Sequence, residues 1–186
     1  MKMVPTASQT VGPFFHLGLN PLCRAQLVSP DTFGQRVEVE GVVLDGDGNP
    51  VPDALLEIWQ ADANGKYPSE GRQSAKEYFN GFGRVPTGAN GRYGFTTIKP
   101  GFVPGPEGSV QAPHLNISIF MRGLLLRLVT RMYFPDKAND RDPILKMVEP
   151  IRRATLIAQP TDLNTPNVLR WDIRLQGDQE TVFFEI

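Results

Sequence analysis

The sequence predicts an all-β protein, a β-sandwich of short, mostly antiparallel strands with long loops and little helix. The first observation is a series of short runs in which apolar and polar residues alternate, the period of a strand with one face in water. The second is the density of turn residues between those runs, with 18 glycines and 17 prolines among 186 residues. Short strands separated by such turns are typical of a sandwich rather than of a parallel α/β sheet.

The first half of the chain contains three candidate strands. Residues 36–44 read RVEVEGVVL, and residues 54–60 follow after the turn sequence DGDGNP at residues 45–50. This spacing predicts a hairpin between the two runs. Residues 61–90 have little periodicity and predict one long loop, of the kind that is often functional. Residues 92–98, RYGFTTI, predict the next strand.

The second half repeats this pattern after a break of prolines and glycines at residues 99–108. Residues 114–121, HLNISIFM, alternate cleanly, and residues 127–134 predict an antiparallel partner across a short connection. Residues 143–150 predict the only helical turn. Three more short strands bring the total to about eight: residues 154–158, 168–175 and 181–186.

Composition excludes several classes of function. The formal net charge is −1, so no overall positive field favours nucleic acid or anionic lipid. The single cysteine, Cys23, forms neither an internal disulfide nor a cysteine cage for zinc. The sequence contains no apolar run of about 18 residues and no N-terminal signal pattern, which predicts a cytoplasmic protein.

Most motifs that identify an enzyme are missing from the sequence. It has no glycine-rich phosphate loop before a helix, no paired histidines on a helix and no serine in a nucleophile elbow. Nothing in residues 22–24 around Cys23 suggests a thiol that is activated for catalysis. Trp59, on a candidate strand, is predicted to pack in the core.

The informative stretch is QAPHLNIS at residues 111–118. His114 and Asn116 lie two apart on a strand and so share one face, where a His-x-His pair would suit a metal ion. A neutral amide is a weak ligand for a transition metal, so this pair is a poor metal site. The residues alone favour a buried His114 that bonds to the backbone.

Several longer motifs resemble those of the intradiol ring-cleavage dioxygenases. They are TASQTVGPFFHLGL at residues 6–19, EGVVLDGDGNPVPDALLEIWQADANGKY at 40–67, FGRVPTGANGRYGFTTIKPG at 82–101, APHLNISIFMRG at 112–123, TRMYF at 130–134 and WDIRLQGDQETVFFEI at 171–186. These motifs span nearly the whole chain and are more specific than generic turns. The resemblance implies a single β-sandwich domain of residues 1–186 and a part in cleavage of a catechol ring by dioxygen.

Family members that hold iron use two tyrosines and two histidines around Fe(III), and the resemblance implies that this chain lacks most of that set. His114 matches the first histidine, whereas Asn116 replaces the second. The other implied positions carry unsuitable residues: Phe102 and Val103 for one tyrosine, Tyr67 and Tyr78 poorly placed for the other, and Gln111 for an arginine near the histidines. The chain is therefore expected to bind no metal by itself.

The resemblance implies instead a homologous beta chain that holds non-haem Fe(III), with the active site at the junction of the two chains in a hetero-oligomer. The substrate-binding residues that it implies are Thr10, Gly12, Pro13 and Arg122, with Arg127 and Arg131 as rivals for a substrate carboxylate. The segment of residues 1–35 is expected to act as an assembly and active-site arm. No residue of this chain alone is expected to be catalytic.

The expected reaction, in the beta-ketoadipate pathway of aromatic catabolism, converts 3,4-dihydroxybenzoate (protocatechuate) and dioxygen into 3-carboxy-cis,cis-muconate. Two alternatives stay open at this stage. In the first, the chain is a structural or binding β-sandwich without catalysis. In the second, it is a self-sufficient dioxygenase that uses His16, His114 and a carboxylate. Gly12-Pro13 and Arg122 also have simpler interpretations, as an ordinary turn and a solvated arginine. The loop of residues 61–90 is predicted to be an intersubunit contact.

Overall fold

Two β-sheets and a small β-ribbon make up the computed structural model, which describes residues 6–68, 79–162 and 164–185. The strands are β1 (Arg36–Leu44), β2 (Leu55–Trp59), β3 (Phe82–Pro86), β4 (Arg92–Ile98), β5 (Val103–Pro104), β6 (Val110–Gln111), β7 (His114–Phe120), β8 (Leu128–Tyr133), β9 (Gln159–Pro160), β10 (Val168–Arg170) and β11 (Ile173–Arg174). The helices are α1 (Pro13–Leu19) and α2 (Pro143–Met147), with 3-10 turns at Asn20–Leu22, Pro106–Gly108, Lys137–Arg141 and Pro150–Leu156. The predicted fold class is confirmed.

One sheet has the order β3-β2-β7-β8, and all of its pairs are antiparallel. The predicted pairing of residues 114–121 with residues 127–134 is confirmed, since β7 and β8 run side by side with Ile117 opposite Thr130. On β7 the apolar positions are buried and most of the alternate positions are partly exposed, as the alternation of the sequence requires. This sheet carries His114 and Asn116 on β7 and Arg131 on β8.

The other sheet is centred on β1, which pairs with β4 in antiparallel fashion and with β10 and β11 in parallel fashion. The predicted hairpin of residues 36–44 and 54–60 is wrong, because β1 and β2 lie in different sheets. The turn between them does form, with the Asp45 amide donating to the Asn49 carbonyl at 2.9 Å. Alternation identifies the buried face of a strand but not its neighbour, so the pattern was compatible with either pairing.

Side chains from both sheets form one continuous core. The central strands contribute most of it, including Val39 of β1, Phe95 of β4, Ile58 of β2 and Ile117 of β7. A second, smaller cluster packs around Tyr133, Leu145 and Leu156, beneath the segment that contains α2. Among the described residues no helix is long and apolar enough to cross a membrane.

Two other strand predictions and one loop prediction need correction. Residues 154–158 are mostly the end of the Pro150–Leu156 3-10 turn, in which Pro150 sits at a helical first position that suits its fixed φ. Residues 181–185 form no strand, although the Thr181 amide donates to the Arg174 carbonyl at 2.9 Å. The predicted loop of residues 61–90 contains β3 near its end, and its residues 69–78, with Tyr78, lie outside the described part of the chain.

Helix α1 was not predicted, whereas α2 confirms the helical turn expected within residues 143–150. Pro13 occupies the first turn of α1, where its missing N–H would have no partner in any case. At α2 the buried carboxylate of Asp142 accepts from the Leu145 amide at 2.7 Å and caps the helix. The helix α1 projects exposed apolar side chains, with Phe14 83% and Leu17 65% exposed.

Candidate active-site residues

The four predicted substrate-binding residues meet where the N-terminal arm crosses the far end of β7. Thr10 precedes α1, and its hydroxyl accepts from the Gly123 amide at 2.8 Å. Gly123 directly follows Arg122 in the connection from β7 to β8. The Phe15 ring of α1 lies 5.6 Å from the Phe120 ring at the end of β7. The structure therefore brings Thr10, Gly12, Pro13 and Arg122 to one corner.

Gly12 has no packing reason to be glycine within the described chain. Its backbone angles, φ −96° and ψ 179°, are ones that any residue adopts. A Cβ at this position would have no atom of the described chain within 4 Å. Its carbonyl accepts from the Phe15 amide at 3.0 Å at the start of α1, and Pro13 stiffens the same peptide. A bare, stiff backbone that faces open space suits the close approach of something outside this chain.

Arg122 is held by one side of its guanidinium. Its Nε donates to the carboxylate of Asp53, in the segment that leads into β2. The arginine side chain is 68% exposed while the aspartate side chain is 19% exposed. The Asp53 carbonyl also accepts from Nε2 of His16 on α1 at 2.8 Å. Asp53 thus touches both the arm and the arginine.

His114 and Asn116 lie at the other end of β7. His114 is 3% exposed, its Nδ1 lies 2.8 Å from the Ala112 carbonyl, and its ring packs 5.7 Å from that of Tyr133. Burial, assisted by the positive charge of Arg131, lowers the pKa of His114 to about 4. The predicted role as a buried histidine bonded to the backbone is confirmed.

The amide of Asn116 is engaged as a donor rather than available as a ligand. Its nitrogen donates to the Tyr67 hydroxyl at 3.1 Å and to the Trp59 carbonyl at 3.4 Å. The Trp59 and Tyr67 rings stack with centroids 6.0 Å apart and planes inclined by 16°. The prediction that Trp59 packs in the core is wrong, because its side chain is 40% exposed and covers the outer face of the sheet.

Comparisons with known proteins agree with this architecture. A family model described as Dioxygenase matches residues 12–177. The alpha chain of protocatechuate 3,4-dioxygenase from Burkholderia cepacia is 43% identical over 97% of both chains. The beta chain from the same organism is 37% identical over 82% of this chain and 66% of its own length.

The chain belongs to the intradiol dioxygenase family. A solved structure, the dioxygenase domain of a dioxygenase carbohydrate-binding protein fusion from Streptomyces sp. SirexAA-E, aligns with a TM-score of 0.65. The two chains are 27% identical, with 86% of this chain and 89% of the other covered. The resemblance expected from the sequence motifs is thereby confirmed.

The family implies non-haem iron, but the side chains in the described part of this chain do not offer a donor set that fits it. Within residues 6–68, 79–162 and 164–185, no three or more His, Cys, Asp or Glu side chains converge as a metal site. Val103, at one expected tyrosine position, is buried in β5, and its neighbour Phe102 is 56% exposed. A single imidazole beside a donating amide does not hold a ferric ion.

The register of the sheet separates the two groups of residues. Along β2, Leu55 lies opposite Phe120 and Trp59 lies opposite Asn116. His114 and Phe120 are six residues apart on one extended strand, a span of about 20 Å. The Arg122 corner and the His114 corner are therefore opposite ends of the same strand pair.

The rival arginines are distinguished by the same register. Arg131 lies opposite Asn116 and donates to the Gln111 side chain at 2.7 Å, so it belongs to the His114 corner. Arg127 lies at the Arg122 end and lines an open groove of about 850 Å³ with Leu124, Val129 and Phe183. Arg127 therefore lies at the same end of the sheet as Arg122, whereas Arg131 lies at the opposite end.

Sequence reasoning missed Asp53 and the role of His16. Asp53 is the third residue of the segment VPDA at residues 51–54, and nothing in that pattern distinguishes it from a solvated turn residue. Its contact with Arg122 spans 69 positions. No local spacing rule reaches that far, so only the packing of α1, β2 and β7 reveals it.

Proposed function

We propose that this chain is the alpha subunit of a protocatechuate 3,4-dioxygenase and lines an active site whose Fe(III) is held by a homologous beta chain. One observation carries the proposal. The residues suited to contact substrate lie at the Phe120 end of β7, and His114 lies at its other end, six residues or about 20 Å away. The two groups cannot serve one small aromatic ligand. The contact residues then need a reactive centre that another chain supplies.

The full-length similarity to an alpha chain, together with the similarity to a beta chain, supports this division of roles. The proposed reaction cleaves the bond between the two hydroxyl-bearing carbons of 3,4-dihydroxybenzoate. Both atoms of dioxygen enter the product, 3-carboxy-cis,cis-muconate. We place this assembly in the cytoplasm.

Within that site this chain binds and orients the substrate and excludes water. Arg122 offers its exposed planar guanidinium to the substrate carboxylate, a geometry that suits a pair of parallel hydrogen bonds. The Gly12-Pro13 backbone provides a flat, stiff wall against the aromatic ring. The Thr10 hydroxyl ties that wall to the peptide that follows Arg122. The Fe(III) belongs to the beta chain.

A self-sufficient iron site is disfavoured by the same geometry. His16 bonds to Asp53 at the Arg122 end of the sheet, and His114 lies at the opposite end. The two histidines therefore share no carboxylate between them. The other alternative, a β-sandwich with no part in catalysis, is distinguished from the proposed function by the following experiment.

Replacing Arg122 by Ala in the assembled two-chain enzyme tests the proposal. We expect KM for protocatechuate to rise at least about tenfold, because a charge-assisted bond of about 1.5 kcal/mol or more is removed. Catechol has no carboxylate, so its binding as substrate or competitor should stay unchanged. Arg170→Ala, which breaks an exposed ion pair with Asp172 elsewhere, is the matched control. If Arg122→Ala affected protocatechuate and catechol equally, Arg122 would not be a clamp for the substrate carboxylate.

A further inference from the structure

Asp53 joins two elements through two different atoms. Its carboxylate accepts from Nε of Arg122, and its backbone carbonyl accepts from Nε2 of His16. The first contact depends on the aspartate side chain and the second does not. A change of side chain at this position therefore leaves the anchor of α1 intact.

The contact with Asp53 uses only one edge of the Arg122 guanidinium. Among the described residues, the hydrogen bonds of Arg122 involve Nε alone, and neither Nη atom has a hydrogen-bond partner there. The guanidinium is a rigid plane, so holding Nε also sets the direction of the Nη edge. With Nε occupied by Asp53, the two Nη atoms form the edge that remains able to match a carboxylate with two parallel bonds.

Asp53 is itself held in place by the core. The neighbouring Ala54 amide donates to the Thr87 hydroxyl at 3.0 Å, and that hydroxyl donates to the Val51 carbonyl at 2.8 Å. Ala54 and the following Leu55 are completely buried. The segment that presents the Asp53 carboxylate is therefore a rigid support rather than a loose loop.

We propose that Asp53 is a positioning residue that fixes the guanidinium of Arg122 in the direction from which it receives the substrate carboxylate. This inference rests on the proposed function of Arg122. Asp53 itself touches no substrate atom. It reduces the freedom of a long, exposed side chain before binding, so that less order is lost when the substrate arrives.

The negative charge of Asp53 acts in the opposite direction, because it repels the same carboxylate. Two substitutions separate the effects. Asp53→Asn removes the charge and keeps an oxygen that accepts from Nε, whereas Asp53→Ala removes both. If positioning dominates, only the alanine variant is impaired. If repulsion dominates, both variants bind protocatechuate more tightly than the parent.

The experiment measures KM and kcat for protocatechuate and the binding of catechol in the two-chain enzyme. We expect Asp53→Ala to raise KM for protocatechuate about tenfold, similar to the loss of one charge-assisted bond, with kcat within about twofold. Asp53→Asn should stay within about threefold of the parent, since it preserves the acceptor. The double variant Asp53→Ala/Arg122→Ala should be no worse than Arg122→Ala alone. Glu180→Gln, which alters the exposed pair with Arg152, is the control.

The outcomes separate this inference from the proposed function. If Arg122→Ala impairs protocatechuate selectively and Asp53→Ala does not, the positioning role is wrong and the clamp stands. If the two effects multiply in the double variant, or if Asp53→Ala impairs catechol equally, Asp53 does not act through Arg122. If Arg122→Ala has no selective effect, the proposed clamp itself fails.

Discussion

At the scale of single residues, His114 keeps a family position in an environment that resists its protonation. It is buried, its Nδ1 bonds to the Ala112 carbonyl, and Arg131 lies nearby with a positive charge. These factors lower its pKa to about 4 from an ordinary value of 6.5. Between those two values the unfolded chain binds more protons at this site than the folded chain. Stability therefore rises with pH across that window and falls as the solution is acidified through it.

The first prediction concerns this titration. We expect the ring protons of His114 to titrate near pH 4 in an NMR experiment, and the linkage to remove up to about 3 kcal/mol of unfolding free energy below that pH. The measurement is direct because the chain contains only two histidines. His16→Ala assigns the two signals. A midpoint of 6 or higher for His114 would show that the imidazole is accessible to water, contrary to the structure.

Some of the single residues at the candidate site could be predicted from the sequence and others could not. The sequence already singled out Arg122, Thr10 and the Gly12-Pro13 pair, because they lie within motifs of a known family. Asp53 was missed, because its partner Arg122 is distant in sequence. The exposure of Trp59 was also missed, because the covering partner, Tyr67, lies in a loop without periodicity.

At the scale of elements, the start of β2 is fixed by the Thr87 hydroxyl, which bridges the peptides of Val51 and Ala54. This hydroxyl is buried and satisfied on both sides. The bridge ties the segment before β2 to the residue that follows β3. It explains how β2, whose first two residues are fully buried, begins next to a polar turn.

A second stability prediction follows from that bridge. Thr87→Val keeps the shape but leaves the Ala54 amide and the Val51 carbonyl without this partner, so we expect a loss of about 1–3 kcal/mol in unfolding free energy. Thr87→Ser keeps the hydroxyl and should lose only about 1 kcal/mol, the value of one buried methyl group. Urea denaturation of the three proteins measures both. If the valine variant were as stable as the serine variant, the hydroxyl would have no bridging role.

Elements were predictable where local pattern and local pairing coincide. The β7–β8 pair has clean alternation and a short connection, and its prediction is confirmed. The β1–β2 hairpin failed because alternation carries no information on which strand lies alongside. Strand β3 was hidden by glycines at positions 81 and 83, where Gly83 makes room for Leu27. Helix α1 is short, has no buried residue and depends on contacts such as that of Phe15 with Phe120.

At the scale of the whole molecule, β7 separates two corners whose side chains lie in different environments. The Arg122 corner has an exposed guanidinium, a bare Gly12 and an adjoining apolar groove. The His114 corner has an engaged amide, a buried imidazole and a covering aromatic pair. The first corner is the one proposed to contact the substrate, and in the described part of the chain no group of three or more His, Cys, Asp or Glu side chains converges as a metal site. The proposed activity is then a property of the two-chain assembly.

The most direct test compares three preparations: this chain alone, the beta chain alone, and the two expressed together. Each is measured for iron content and for dioxygen-dependent cleavage of protocatechuate. The account predicts that this chain alone holds no stoichiometric iron and cleaves nothing, whereas the assembly holds one iron for each pair of chains and is active. Stoichiometric iron and ring cleavage in the isolated chain, with no beta chain present, would contradict it.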